Sequence, residues 1–120
     1  MSMSESLDRD TGLAKKNELL RLDAEGFLKR LSDWDESVAT SIAANEDICL
    51  QETHWEIIYL LRAFYRTHSI APPNRAFVSL VKRELGAEKG QSRYLMGMFG
   101  GSPAKTAAKV AGLPKPENCL

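Results

Sequence analysis

The chemistry this chain can offer centres on one thiol, Cys119, in the run Gly112-Leu113-Pro114-Lys115-Pro116-Glu117-Asn118-Cys119-Leu120. Only the thiolate is a nucleophile, and an unperturbed cysteine of pKa about 8.5 is a few per cent ionised near neutrality. Glu117 and the Leu120 carboxylate oppose ionisation, and Lys115 offsets them only in part. Activation is therefore expected from other basic groups, either in a partner's pocket or from Arg93 and Lys105 when the tail folds back. Reach is the other property of the position. Pro114 and Pro116 fix φ near the polyproline value and remove two backbone donors, which excludes helix and central strand. Such an arm advances about 3.1 Å per residue and loses less entropy on entering a partner's site than a glycine-rich one. The competing reading of the same residues is an inert, fraying end.

Other candidates carry less. Cys49, between Ile48 and Leu50, reads as a small core hydrophobe, and a bridge to Cys119 is not expected in a reducing compartment. His54 and His68 lie near opposite ends of one helical segment and cannot share a metal; with neither HExxH nor CxxC, no metal and no other cofactor is expected. His54, just before Trp55 at a helix start, reads as a capping or solvent-facing residue. Gly86, Gly90, Gly97, Gly100 and Gly101 read as helix stops and turns, not as a phosphate loop.

With 120 residues, 43% hydrophobic and 27% charged, the chain has the make-up of one small soluble domain. No apolar run approaches the roughly 18 residues of a membrane span, and Met1-Ser2-Met3-Ser4-Glu5-Ser6 lacks a signal pattern, so cytoplasmic residence and no membrane contact are expected. Net charge is zero but unevenly spread: residues 1–70 carry 8 basic and 13 acidic side chains, residues 71–120 carry 8 and 3. The basic half suits an acidic protein face or a nucleic-acid backbone, which keeps a helical nucleic-acid-binding regulator as an alternative. A pure docking subunit that uses the arm without its thiol is another.

The elements that must position Cys119 follow from patterning. Residues 1–17 read as a disordered leader. Glu18 to Leu22 and Phe27 to Lys29 flank a glycine-containing turn and predict an N-terminal β-hairpin. Ser32 or Asp33 would cap a helix over Trp34 to Asn45, with Trp34, Val38 and Ile42 on one face. A longer helix is predicted from Glu52 to His68, and another from Asn74 to Leu85, stopped by Gly86. Ser92 to Phe99 and Pro103 to Val110 complete the set, with Gly112 closing the last helix. The expected fold is mostly α (α+β): a small helical bundle over 18–112, a hairpin in front, and a mobile arm over 113–120.

Several stretches in this order resemble the TusE/DsrC family: Asp23-Ala24-Glu25-Gly26-Phe27-Leu28, His54-Trp55-Glu56-Ile57-Ile58, Glu88 to Leu95, Pro103-Ala104-Lys105, and Ala111 to Pro116 followed by Cys119. The resemblance covers roughly residues 19–120. It implies a sulfurtransferase of the relay type, in which Cys119 accepts a persulfide and passes it on; the charges around the thiol, and not the resemblance, make Arg93, Lys105 and Lys115 the candidate thiolate or partner contacts. It also implies a TusBCD-like donor complex, a tRNA thiolase like MnmA as acceptor for wobble-uridine 2-thiolation, and an indirect tRNA association. The alternative acceptor is dissimilatory sulfite reductase, which DsrC serves. DsrC carries a second cysteine about ten residues before the penultimate one, and here that site falls on Ala108, so a one-thiol relay is favoured. The segments Pro72 to Phe77 and Met98 to Ser102 depart from the family's usual pattern.

Overall fold

A computed structural model describes residues 21–117. The expected leader over 1–17 and the thiol Cys119 lie outside the described residues. A 3-10 turn, Leu31–Asp33, precedes helices α1 Glu36–Asn45, α2 Glu52–His68, α3 Asn74–Leu85, α4 Ser92–Phe99 and α5 Pro103–Val110.

Local chemistry sets most boundaries. The cap of α1 is Asp35, whose carboxylate accepts the Val38 N–H at 2.8 Å. Ser32 and Asp33 are instead taken up by the 3-10 turn, and Trp34 follows it in extended conformation at ψ 136°. Trp34 is therefore not the first residue of the helical face predicted for it. Helix α2 begins where the His54 ring, at the N3 position, accepts the Gln51 N–H, and ends at Ser69 in left-handed conformation. Gly86 closes α3 at φ +103° with its N–H on the Lys82 carbonyl. The connection to α4 then rides directly on α3, for a Cβ on Gly90 would stand 2.3 Å from Lys82 Cα.

The core is built around the last and one of the shortest helices. α5 packs against α1, α2, α3 and α4. Its Ala104, Ala107 and Ala108 are buried, and such small side chains let four neighbours approach one axis. Phe27, Ile42, Ile57, Ile58, Phe77 and Leu95 fill the space around it, each contributing about 1.5–3 kcal/mol of burial. The residues predicted inward on α1 and α3, namely Val38, Ile42, Phe77, Leu80 and Val81, are all buried.

The predicted hairpin is not formed in the described residues, and its residues 18–20 lie outside them. A single antiparallel bridge joins Leu22 and Leu28, with no strand on either side. Asp23 closes the turn, its carboxylate accepting the N–H groups of Glu25 at 2.9 Å and Phe27 at 3.0 Å. Neighbouring Phe27 and Leu28 are both buried, so the segment is covered on both sides and has no solvent-facing side of the kind a surface hairpin presents. The segment is a loop wedged into the core. Residues 113–117, expected as the base of the arm, run along the domain: Leu113 and Pro116 are buried, and Lys115 meets Glu25.

Candidate functional site

The thiol arm leaves the domain from the end of α5, and the structure is unusually explicit about how that exit is held. A helix leaves its last carbonyls without intrahelical partners. Here the turn closes locally first: Gly112 N–H donates to Lys109 O at 3.1 Å and Leu113 N–H to Ala108 O at 2.9 Å, with Gly112 at φ +74°. Two distant side chains then take the next carbonyls. The indole N–H of Trp34 donates to Val110 O at 3.0 Å, and Arg62 Nη1 donates to Ala111 O at 2.8 Å.

These two donors support each other. The Arg62 guanidinium lies 3.9 Å from the centroid of the Trp34 ring. Burial, and then Arg66 nearby, push its pKa down. Tyr59, one turn before Arg62 on α2, packs edge-on against Trp34 at 6.0 Å and stacks with Trp55 at 6.2 Å. Its hydroxyl donates to Glu36, which raises its pKa. A Cβ on Gly112 would stand 2.3 Å from Trp34 Cδ1, so the indole lies flush against the backbone where the arm begins.

Charge along the arm is organised by Glu25. Its carboxylate accepts from Lys105 Nζ at 2.9 Å and Lys115 Nζ at 3.2 Å, joining helix, loop and arm. Lys105 and then Lys115 hold it below the usual carboxylate range. One turn along α5, Lys109 is buried, pairs with Glu46 at 3.2 Å, and lies over the Phe27 ring.

Of the residues proposed from sequence, Lys105 and Lys115 are brought together through Glu25, whereas Arg93 stands exposed on the first turn of α4, outside this cluster. Cys119 follows Lys115 by four positions, which limits their Cα separation to roughly 14 Å. The groups that sequence reasoning missed are Trp34, Arg62, Glu25, Glu46 and Lys109. Only their residue types hinted at them, because each acts through a partner far away in the chain.

One expectation is corrected and one is narrowed. Cys49 is exposed and not a core hydrophobe. It lies in the connection between α1 and α2, where Ile48 and Leu50 pack partly buried against the core and Cys49 is exposed between them. Cys49 lines a cavity of about 350 Å³ with Asp47, His54, Met98 and Gly100. His54 takes the capping role of the two expected for it, and the residue is buried, 5% exposed, and does not face solvent. Because Nδ1 accepts the Gln51 N–H at 2.9 Å, Nε2 carries the hydrogen and donates to Met98 O at 2.9 Å. Among the described residues no group of three His, Cys, Asp or Glu side chains is placed to hold a metal, and no helix is long and apolar enough to cross a membrane.

The model of the family described as DsrC like protein matches residues 14–120. The chain is 46% identical over 101 residues to "Sulfurtransferase TusE" of Photorhabdus laumondii, covering 84% of this chain and 91% of that one. It is 48% identical over 98 residues to "Sulfurtransferase TusE" of Sodalis glossinidius, covering 82% and 91%. Its fold is similar to the solution structure of DsrC from Allochromatium vinosum, with a TM-score of 0.75 and 44% identity, covering 82% of this chain and 88% of that one. With the family match over most of its length, and relatives and a solved fold this similar, this chain is a member of the DsrC-like family.

Proposed function

We propose that this protein is a sulfur carrier that accepts a persulfide on Cys119 and delivers it for 2-thiolation of the wobble uridine in tRNA. The observation that carries the reading is the extent of the similarity: a family match through residue 120, with relatives named sulfurtransferase at 46–48% identity over most of both chains. The held arm root supports it, since a carrier must present its thiol at a defined place while leaving the last residues able to enter another protein.

The chemistry is a sulfane transfer. The Cys119 thiolate attacks the outer sulfur of a donor persulfide, R–S–SH; the new S–S bond forms as the donor's S–S bond breaks, giving Cys119–S–SH and the donor thiolate. No net oxidation occurs. An acceptor thiolate later attacks the outer sulfur and Cys119 leaves as thiolate. Lys105 and Lys115 supply positive charge near the arm, although Glu25 neutralises part of it in the docked arrangement. Full activation comes from the partner. A TusBCD-type complex is the donor, an MnmA-type tRNA thiolase the acceptor, and the location is the cytoplasm, where tRNA is modified.

A second reading, carriage for dissimilatory sulfur metabolism, is favoured by the similarity to Allochromatium DsrC. Against it stands Ala108, where the resemblance places DsrC's second cysteine. Ala108 is buried, its carbonyl accepting the Leu113 N–H. A one-thiol arm holds a persulfide but does not close an internal disulfide. The test is reconstitution with a TusBCD-type donor, an MnmA-type enzyme and tRNA, reading 2-thiouridine. Product that depends on Cys119 supports the relay; product formed equally by Cys119→Ser overturns it.

A further inference from the structure

We propose that Trp34 and Arg62 are positioning residues for the carrier thiol: by gripping the carbonyls of Val110 and Ala111 they fix the direction in which the Cys119 arm leaves the domain. The inference deepens the carrier reading and rests on it.

The grip is not a local helix cap. Its donors lie 76 and 49 residues away in sequence from the carbonyls they hold, one from the connection before α1 and one from α2. The carbonyls they hold are the last two before Gly112, the point at which the chain turns back along α5. The grip is also made at some cost. Arg62 is taken partly out of water, as the direction of its pKa shift shows. What an apolar residue lacks is a donor for Ala111 O.

The indole adds a steric lock. With Trp34 Cδ1 2.3 Å from the place a Gly112 Cβ would take, the ring lies against the turn and leaves no room for a side chain there. Tyr59 packs edge-on against that ring, is itself stacked on Trp55 and donates to Glu36, so displacement meets resistance. The grip sets the heading at the end of α5, and buried Leu113 and Pro116 with the Lys115–Glu25 pair then keep the chain on that path along the domain. A thiol launched from a fixed origin searches a smaller volume for the donor sulfur, and reaction rates are sensitive to such misplacement at the level of about 1 Å.

The variants that separate this role from plain stability are Trp34→Phe, which keeps a ring but loses the N–H, and Arg62→Met, which keeps the stem but loses the donors. With both folded at the assay temperature by circular dichroism, the rate of sulfur transfer from a persulfide-charged TusBCD-type complex to Cys119 is expected to fall about 10-fold. Alkylation of Cys119 by iodoacetamide, which needs no docking, is expected to stay within about twofold of wild type. Arg62→Lys, able to donate to Ala111 O, should recover part of the loss. Transfer at the wild-type rate in both folded variants overturns the proposal, as does an equal fall in transfer and alkylation. Cys119→Ser provides the separation from the underlying reading. If it still takes up sulfur, the carrier assignment fails; if it does not and the two variants match wild type, the positioning role alone fails.

Discussion

Replacing Gly112 with alanine probes the junction between domain and arm, and the size of the effect can be worked from the structure. At φ +74° an L-residue is placed in the left-handed region, at about 1–2 kcal/mol. The added Cβ would lie 2.3 Å from Trp34 Cδ1, 2.7 Å from Cγ and 2.9 Å from Cβ. Comfortable carbon contacts are about 3.5–4.0 Å, so the indole must retreat by about 1 Å. Overpacking of that kind costs about 1–3 kcal/mol, and retreat stretches the bond from Trp34 to Val110 O. The total is about 2–5 kcal/mol, a large part of the roughly 5–15 kcal/mol that holds a domain together. At about 4 °C per kcal/mol for a chain of this size, Tm should drop by about 8–20 °C. Urea unfolding gives the free energy, with a constant m-value required for the comparison. In a Trp34→Ala background the clash is gone, so Gly112→Ala should then cost only the backbone part, about 1–2 kcal/mol. An equal cost in both backgrounds would refute the argued contact, as would a cost near zero in the wild-type background.

Gly90→Ala should be as damaging for a different reason, because its Cβ would meet the Lys82 backbone at 2.3–2.5 Å and the loop before α4 must lift, at about 3 kcal/mol; an unchanged urea midpoint would count against this packing. His54→Ala leaves the Gln51 N–H and the Met98 carbonyl without their partner, at about 2–4 kcal/mol by the same assay; a loss well under 1 kcal/mol would show that water replaces the ring. Glu25, with its folded-state pKa depressed by Lys105 and then Lys115, ties Lys115 to the domain at neutral pH, and the tie is lost only as pH falls through the depressed value. An NMR signal of Lys115 followed through an acid titration should therefore move below the ordinary glutamate range in the wild type and lose that transition in Glu25→Gln. A transition at or above the ordinary range would contradict the pairing.

The helices were legible because their signals are local. Gly86 and Pro103 stand at chain breaks, and the inward positions of α1 and α3 recur at helical spacing. The hairpin was misread because short apolar runs around a turn look alike whether they pair as strands or wedge into a core, and Asp23 closes the turn by side-chain bonds that no period reveals. Cys49 was misread because a three-residue apolar run suggests burial, whereas in the connection between α1 and α2 only its two neighbours pack against the core and the middle side chain is exposed. Trp34 was assigned to a helical face on spacing alone. Its actual partners, Val110, Arg62 and Gly112, come from elsewhere in the chain, and long-range pairing of this kind leaves no mark on sequence pattern. The arm's composition advertised its reach, but not that Leu113 and Pro116 pack down and Lys115 is tied to Glu25.

The most direct test of the carrier reading is intact-mass analysis after incubation with a persulfide-charged TusBCD-type complex, followed by peptide mapping. Wild type and Cys49→Ser should each gain one sulfur atom, confined to the peptide that holds Cys119, and Cys119→Ser should gain none. Sulfur carried on Cys49, or uptake that survives Cys119→Ser, would contradict the account.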